Sequence, residues 1–83
     1  MYQLICEWLD GDRGVTSLGF AVKENAQADL RWQADIVKSD YLDDYSCADL
    51  EQMEQEGDFI DEPDVFYLAD VARFTVEPLT VIK

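Results

Sequence analysis

An α+β domain, with a small antiparallel sheet of three to four strands and two helices packed on one face, is the fold this sequence predicts. Three observations carry it. Two stretches near the N-terminus alternate apolar and polar residues with a period of two. Two central stretches repeat their apolar residues at helical spacing and carry capping residues. Alternation then returns over VARFTVE, residues 71–77. With 83 residues the chain forms a single domain, 1–83, and its 48% apolar content suffices for a small core.

The first stretch, YQLICEWL, places Tyr2, Leu4, Cys6 and Trp8 on one face and Gln3 and Glu7 on the other. The second runs from about Thr16 to Lys23, with Thr16, Leu18, Phe20 and Val22 on its apolar face. A two-residue Asp10-Gly11 turn between them fails, because it pairs Trp8 with Arg13 and sends the two apolar faces to opposite sides. Both apolar sets are even-numbered, so the connecting loop is odd, of three or five residues, with Gly14 available for a positive φ. That reading places Cys6 near Leu18 and Leu4 near Phe20. It also puts Leu4, Cys6 and Trp8 on one buried face with Leu18, Phe20, Phe74 and Val76.

From Asn25 the period changes. Asn25 is placed to cap a helix over 26–38, whose inner stripe is Ala26, Leu30, Ala34 and Val37, with Tyr41 in line beyond it. Trp32 and Ile36 form a flanking i,i+4 pair. A second, shorter helix has Ser46 as N-cap, Asp49 at the third position of a capping box and Gly57 as its stop. Its apolar residues, Cys47, Leu50 and Met53, make a narrow stripe, so it lies on the surface of the fold. VFYL, 65–68, reads as strand or as a helical turn following Pro63. Pro78 demotes LTVI, 79–82, to an edge strand or an extension.

Several kinds of chemistry are excluded. The chain has no histidine, which removes the commonest general base and transition-metal ligand. Two cysteines without a histidine make neither a zinc site nor a Cys-His nucleophile. No phosphate-cradling glycine motif is present. The EF-hand spacing fails from Asp10, Asp40 and Asp58 alike, because position 3 or 12 falls on Ala21, Leu42 or Ile60. No catalytic residue, metal or cofactor is expected, and the protein reads as non-enzymatic. Cys6 and Cys47 read as reduced, buried thiols. With no signal peptide and no apolar stretch near the ~20 residues needed to cross a bilayer, a cytoplasmic, soluble protein is expected.

The charge is the most informative property. Nineteen acids against six bases give a net charge of −13. Residues 35–64 hold twelve of those acids and one base, Lys38, so the excess is focused rather than spread. The candidate partner-binding residues are Asp40, Tyr41, Asp43, Asp44, Tyr45, Asp49, Glu51, Glu54, Glu56, Asp58, Asp61, Glu62 and Asp64. Glu54 and Glu56 sit at the carbonyl end of the second helix, where each costs some tenths of a kcal/mol. Glu51–Glu54 and Glu54–Asp58 add like-charge pairs at helical spacing. Tyr41 and Tyr45, four apart, are of the type that anchors interfaces.

Direct binding to nucleic acid or to an anionic membrane has the wrong sign. The expected partner is a basic protein surface, such as a nucleic-acid-binding protein or a nuclease, met by a monomer or homodimer. In size and charge pattern residues 39–64 resemble the small acidic inhibitors encoded by phages and mobile elements, the DNA mimics and anti-CRISPR proteins. They are similar in principle to immunity proteins that neutralise nucleases. The resemblance rests on charge and not on a motif, so it assigns no residue a role. The competing reading is an acidic accessory module that assembles through an apolar sheet edge, VARFTVE or LTVI, with its charge serving solubility alone.

Overall fold

The computed structural model describes residues 1–11 and 14–79. The chain runs β1 (Tyr2–Trp8), β2 (Val15–Phe20), α1 (Lys23–Tyr41), α2 (Cys47–Glu56), β3 (Phe59–Asp61), β4 (Val65–Leu68) and β5 (Ala72–Pro78). Among the described residues the five strands form one antiparallel sheet in the order β2-β1-β5-β4-β3. The fold is α+β, with one strand more than the upper expectation. VFYL is strand, and the added strand is Phe59–Asp61, its partner. VARFTVE, one of the two edges through which the competing reading would assemble, is instead the central strand, flanked by β1 and β4, because its alternating Ala72, Phe74 and Val76 are all needed in the core. Of LTVI, residues 80–82 lie outside the described residues.

The core is a row of aromatic rings on one face of the sheet. Trp8 meets Phe74 edge-on at 5.3 Å between centroids, Phe74 stacks on Phe66 at 5.6 Å, and Phe66 meets Phe59 edge-on at 5.9 Å. These contacts tie β1, β5, β4 and β3 together, each adding about 0.5–1.5 kcal/mol beyond area burial. Helix α1 lies over the row with the expected stripe, Ala26, Leu30, Ala34 and Val37, all buried. Two alanines in that stripe let the helix approach the rings closely. The opposite face is open. There the Arg73 guanidinium lies over the Tyr67 ring at 5.2 Å and reaches Glu7 at 3.8 Å, while Ile5, Val65 and Thr75 are half-buried.

The β1–β2 hairpin keeps the even-with-even parity but is shifted by one pair. Leu4 faces Leu18 and Cys6 faces Thr16, not Phe20 and Leu18. A contact far along the chain accounts for the shift. The Val71 carbonyl accepts from the N–H groups of both Leu9 and Asp10, so these residues stay bound to the end of β5 and the β1–β2 ladder ends early, at Trp8. The Trp8 N–H donates to the Gly14 carbonyl, closing a five-residue loop over 9–13; Gly11 within it and Gly14 at its end both have positive φ. Leu4, Cys6, Phe74 and Val76 are buried as expected, and Trp8 and Phe20 pack against that core half-buried. Leu18 is half exposed, because α1 is centred on β1 and β5 and covers β2 incompletely.

Helix α1 begins earlier than expected. Its N-cap is Val22, without a side-chain cap, and Asn25 lies inside the first turn with its N–H on the Val22 carbonyl. Cys47 is exposed rather than buried, since α2 contributes no buried residue, whereas Cys6 is buried and its Sγ donates to Gln33 Oε1. Burial, and secondly the charge of Asp29, push the Cys6 thiol above the ordinary range, with hydrogen bonds to Thr16 and Gln33 partly opposing.

Two outcomes follow. Removing the central ring by Phe74→Ala costs about 3–5 kcal/mol, while Leu18→Ala at the uncovered edge costs under about 1 kcal/mol. Denaturant midpoints give the ranking, and equal losses contradict this layout. In thiol labelling of the native protein Cys47 reacts first and Cys6 only on opening. Because the folded Cys6 pKa is raised, its contribution is intact below the ordinary thiol pKa of about 8.5 and is lost as pH rises beyond it.

Candidate functional site: the acidic edge

Helix α2 is built by local signals alone. The Ser46 Oγ accepts from the Asp49 N–H at 3.2 Å, and the Asp49 carboxylate accepts from the Ser46 N–H at 3.1 Å. This is the expected capping box. At the other end Gly57 takes φ 80°, its N–H donating to the Glu54 carbonyl while the Asp58 N–H donates to the Met53 carbonyl. Leu50 and Met53 rest half-buried against the core. The remaining surface of α2 carries Asp49, Glu51, Glu54 and Glu56 and no base.

The thirteen candidate residues do not form one uniform face. Asp43, Asp44, Tyr45, Glu51, Glu54 and Glu56 are exposed over the α1–α2 turn and α2, with Glu56 accepting from Gln52. Beside them, Glu54, Asp61 and Glu62 line a shallow cleft of about 260 Å³ with Phe59 and Ile60, between α2 and the free edge of β3. Asp58 lies beyond the helix end and is half-buried, so Glu54–Asp58 is not a pair on one helix and only Glu51–Glu54 remains. Asp49 is committed to the cap. The Tyr41 hydroxyl donates to Asp10 Oδ2, which ties the end of α1 to the β1–β2 loop, so Tyr41 serves the fold as well as the surface. Asp40 follows Ile36 by one turn of α1, on the side turned away from Lys38.

Two lysines bind the rest. Lys38 Nζ sits 3.1 Å from Asp61 and 3.3 Å from Asp35, bridging α1 to β3. Lys23 lies 3.6 Å from Asp64, which also accepts from Gln27 Nε2 at 2.7 Å. Burial alone lowers the Lys38 pKa, but the hydrogen bonds and charges of Asp61 and Asp35 outweigh it and hold the ammonium above the ordinary lysine range. These pairs are partly exposed and each adds only about 0–1 kcal/mol. Their effect is positional: Asp61 and Asp64 are held at the start and end of the β3–β4 turn, while the α2 carboxylates are left to solvent. Neither lysine's role is readable from sequence spacing, because Lys38–Asp61 and Lys23–Asp64 are long-range.

A larger cleft of about 300 Å³ runs between α1 and the β3–β4 turn, lined by Leu30, Arg31, Ala34, Asp35, Asp61 and Pro63 among others. Among the described residues no group of three or more acids or cysteines has metal-holding geometry. No helix among them is long and apolar enough to cross a membrane.

The caps are testable apart from any partner. Ser46→Ala costs about 1 kcal/mol, and Gly57→Ala about 1–2 kcal/mol because alanine is strained at φ 80°. In both variants amide exchange should quicken in α2 and not in β1 or β5; uniform quickening would show that α2 is integral to the core. Compared with known proteins, this chain matches no family model, no curated protein and no solved structure.

Proposed function

We propose that this is a non-enzymatic binding protein whose acidic edge docks on the basic surface of a nucleic-acid-handling protein and inhibits it. One observation carries the reading. Helix α2 contributes no buried side chain and bears four acids without a base, yet it is fixed at both ends by a capping box and a left-handed glycine. A helix kept only for solubility gains nothing from acids at its carbonyl end, where lysine would solubilise equally and favour the helix dipole. Rigid spacing of carboxylates is what a surface imitating phosphate charges requires, since duplex DNA presents one charge per roughly 1.7 Å of axis. The groove of a nucleic-acid enzyme attracts such an array through the field that steers its own substrate. The working face comprises Asp43, Asp44, Glu51, Glu54, Glu56, Asp61 and Glu62. Asp49, Asp58 and Asp64 support it, and Tyr45, half exposed in the same turn, is its aromatic anchor.

Changing Glu51, Glu54 and Glu56 together to Gln tests this. The fold should persist and gain about 0.5–2 kcal/mol from relieved dipole and like-charge repulsion. Partner capture from a bacterial lysate by the wild type should be lost in the variant, and it should weaken steeply between low and high salt. A triple variant that captures the same partner as well as wild type does, losing only solubility, would refute the reading.

A further inference from the structure

Helix α2 is firmly built but loosely fastened. Its caps hold the helix together and do not hold it to the sheet. Among the described residues β3, with three residues, is the only strand or helix that α2 lies against. Its side-chain bonds are local: Ser46 and Asp49 bond to each other, and Gln52 donates to Glu56. Among the described residues no hydrogen bond or ion pair joins an α2 side chain to α1 or to the sheet. Helix α1, by contrast, buries four residues and is tied to the sheet and its turns through Gln27, Gln33 and Lys38. Only Leu50 and Met53, both half-buried, hold α2 in place. Both of its ends can act as joints. Residues 43–46 are exposed throughout, and Gly57 turns the chain toward β3 at φ 80°.

The seam beneath α2 also repels. Glu54 shares a cleft with Asp61 and Glu62, and no base lines it. Lys38 engages Asp61 from the α1 side, so Glu54 and Glu62 are left as like charges without a counter-ion among the described residues. Two weak forces of opposite sign therefore meet there. Apolar contact closes the seam and carboxylate repulsion opens it, and dilute sodium chloride weakens mainly the second.

We propose that α2 is a charge-gated strap over the β3 edge: Leu50 and Met53 close it, repulsion between Glu54 and Glu62 opens it, and ionic strength sets its position. The Debye length falls from about 30 Å at 0.01 M to about 8 Å at 0.15 M, so the gate responds over that range. Released from the sheet, a ten-residue helix is too short to persist in water, and opening therefore frees its amides for exchange. It also bares Leu50, Met53 and the edge of β3 they rest against. Closure by a docked basic surface rests on the function proposed above. Closure by salt does not, so the two readings fail separately.

Amide exchange of the full chain, followed by NMR, reads the strap directly. Between about 0.01 M and about 0.15 M sodium chloride the protection of amides 50–58 should rise at least about threefold. At the lower salt, Glu54→Gln and Glu62→Gln should each slow that exchange about twofold or more. The double variant should slow it by less than the product of the two, because either change alone already removes the shared repulsion. This cycle cancels the relief of the helix dipole at Glu54, which fraying of the helix end alone would also show. Both residues are exposed, so the fold should persist, and unchanged circular dichroism checks it. Protection indifferent to salt overturns the proposal. A double variant equal to the product overturns it as well, since Glu54 and Glu62 would then act independently.

Discussion

One helix covers a sheet twice its width, and most of the structure follows from that mismatch. An α-helix is about 10–12 Å across, whereas five strands at about 4.8 Å spacing span roughly 19 Å between the outer strands. Helix α1 is centred on β1 and β5 and reaches β4 beside them, sealing this zone with a stripe that alternates small and large residues over Phe74 and Phe66. Every fully buried large side chain, Phe66, Phe74, Leu4, Leu30 and Val37, belongs either to that helix or to β1, β4 or β5 beneath it. What lies outside this zone must be finished by other means.

The two edges receive different finishes. On the β3 side α2 adds a partial second cover, and the Lys38 bridge from Asp35 to Asp61 fastens the edge to α1. The carboxylates then serve twice, blocking strand addition at β3 and charging the surface. Most of the molecule's self-repulsion is concentrated there, and it is tolerated because α2 is held by its capping box, its left-handed glycine and Leu50 and Met53 rather than by Glu51, Glu54 and Glu56. On the β2 side nothing comparable exists within the described residues: no second helix and no charge in the strand, with Asp29 on the neighbouring flank of α1 engaged by Gln33 rather than by a base. A −13 chain thus keeps its longest neutral stretch on an open edge, without the charges that guard β3.

Local patterns were legible in the sequence and long-range ones were not. The parity of the hairpin, the buried stripe of α1 and both ends of α2 follow from spacing within a dozen residues, and the structure has them. The hairpin register depends on Val71 holding Leu9 and Asp10, a contact across sixty residues that alternation cannot express. Strand β3 was hidden because three residues amid acids have no strand signal until VFYL folds back on them. The start of α1 was misplaced because Asn25 looks like a cap, while the Val22 backbone begins the helix unaided. For the acidic face, the residue set was visible as composition. Its division into lysine-bound carboxylates at the β3–β4 turn and solvent-facing ones on α2 was not, since both lysines find their partners more than twenty residues away.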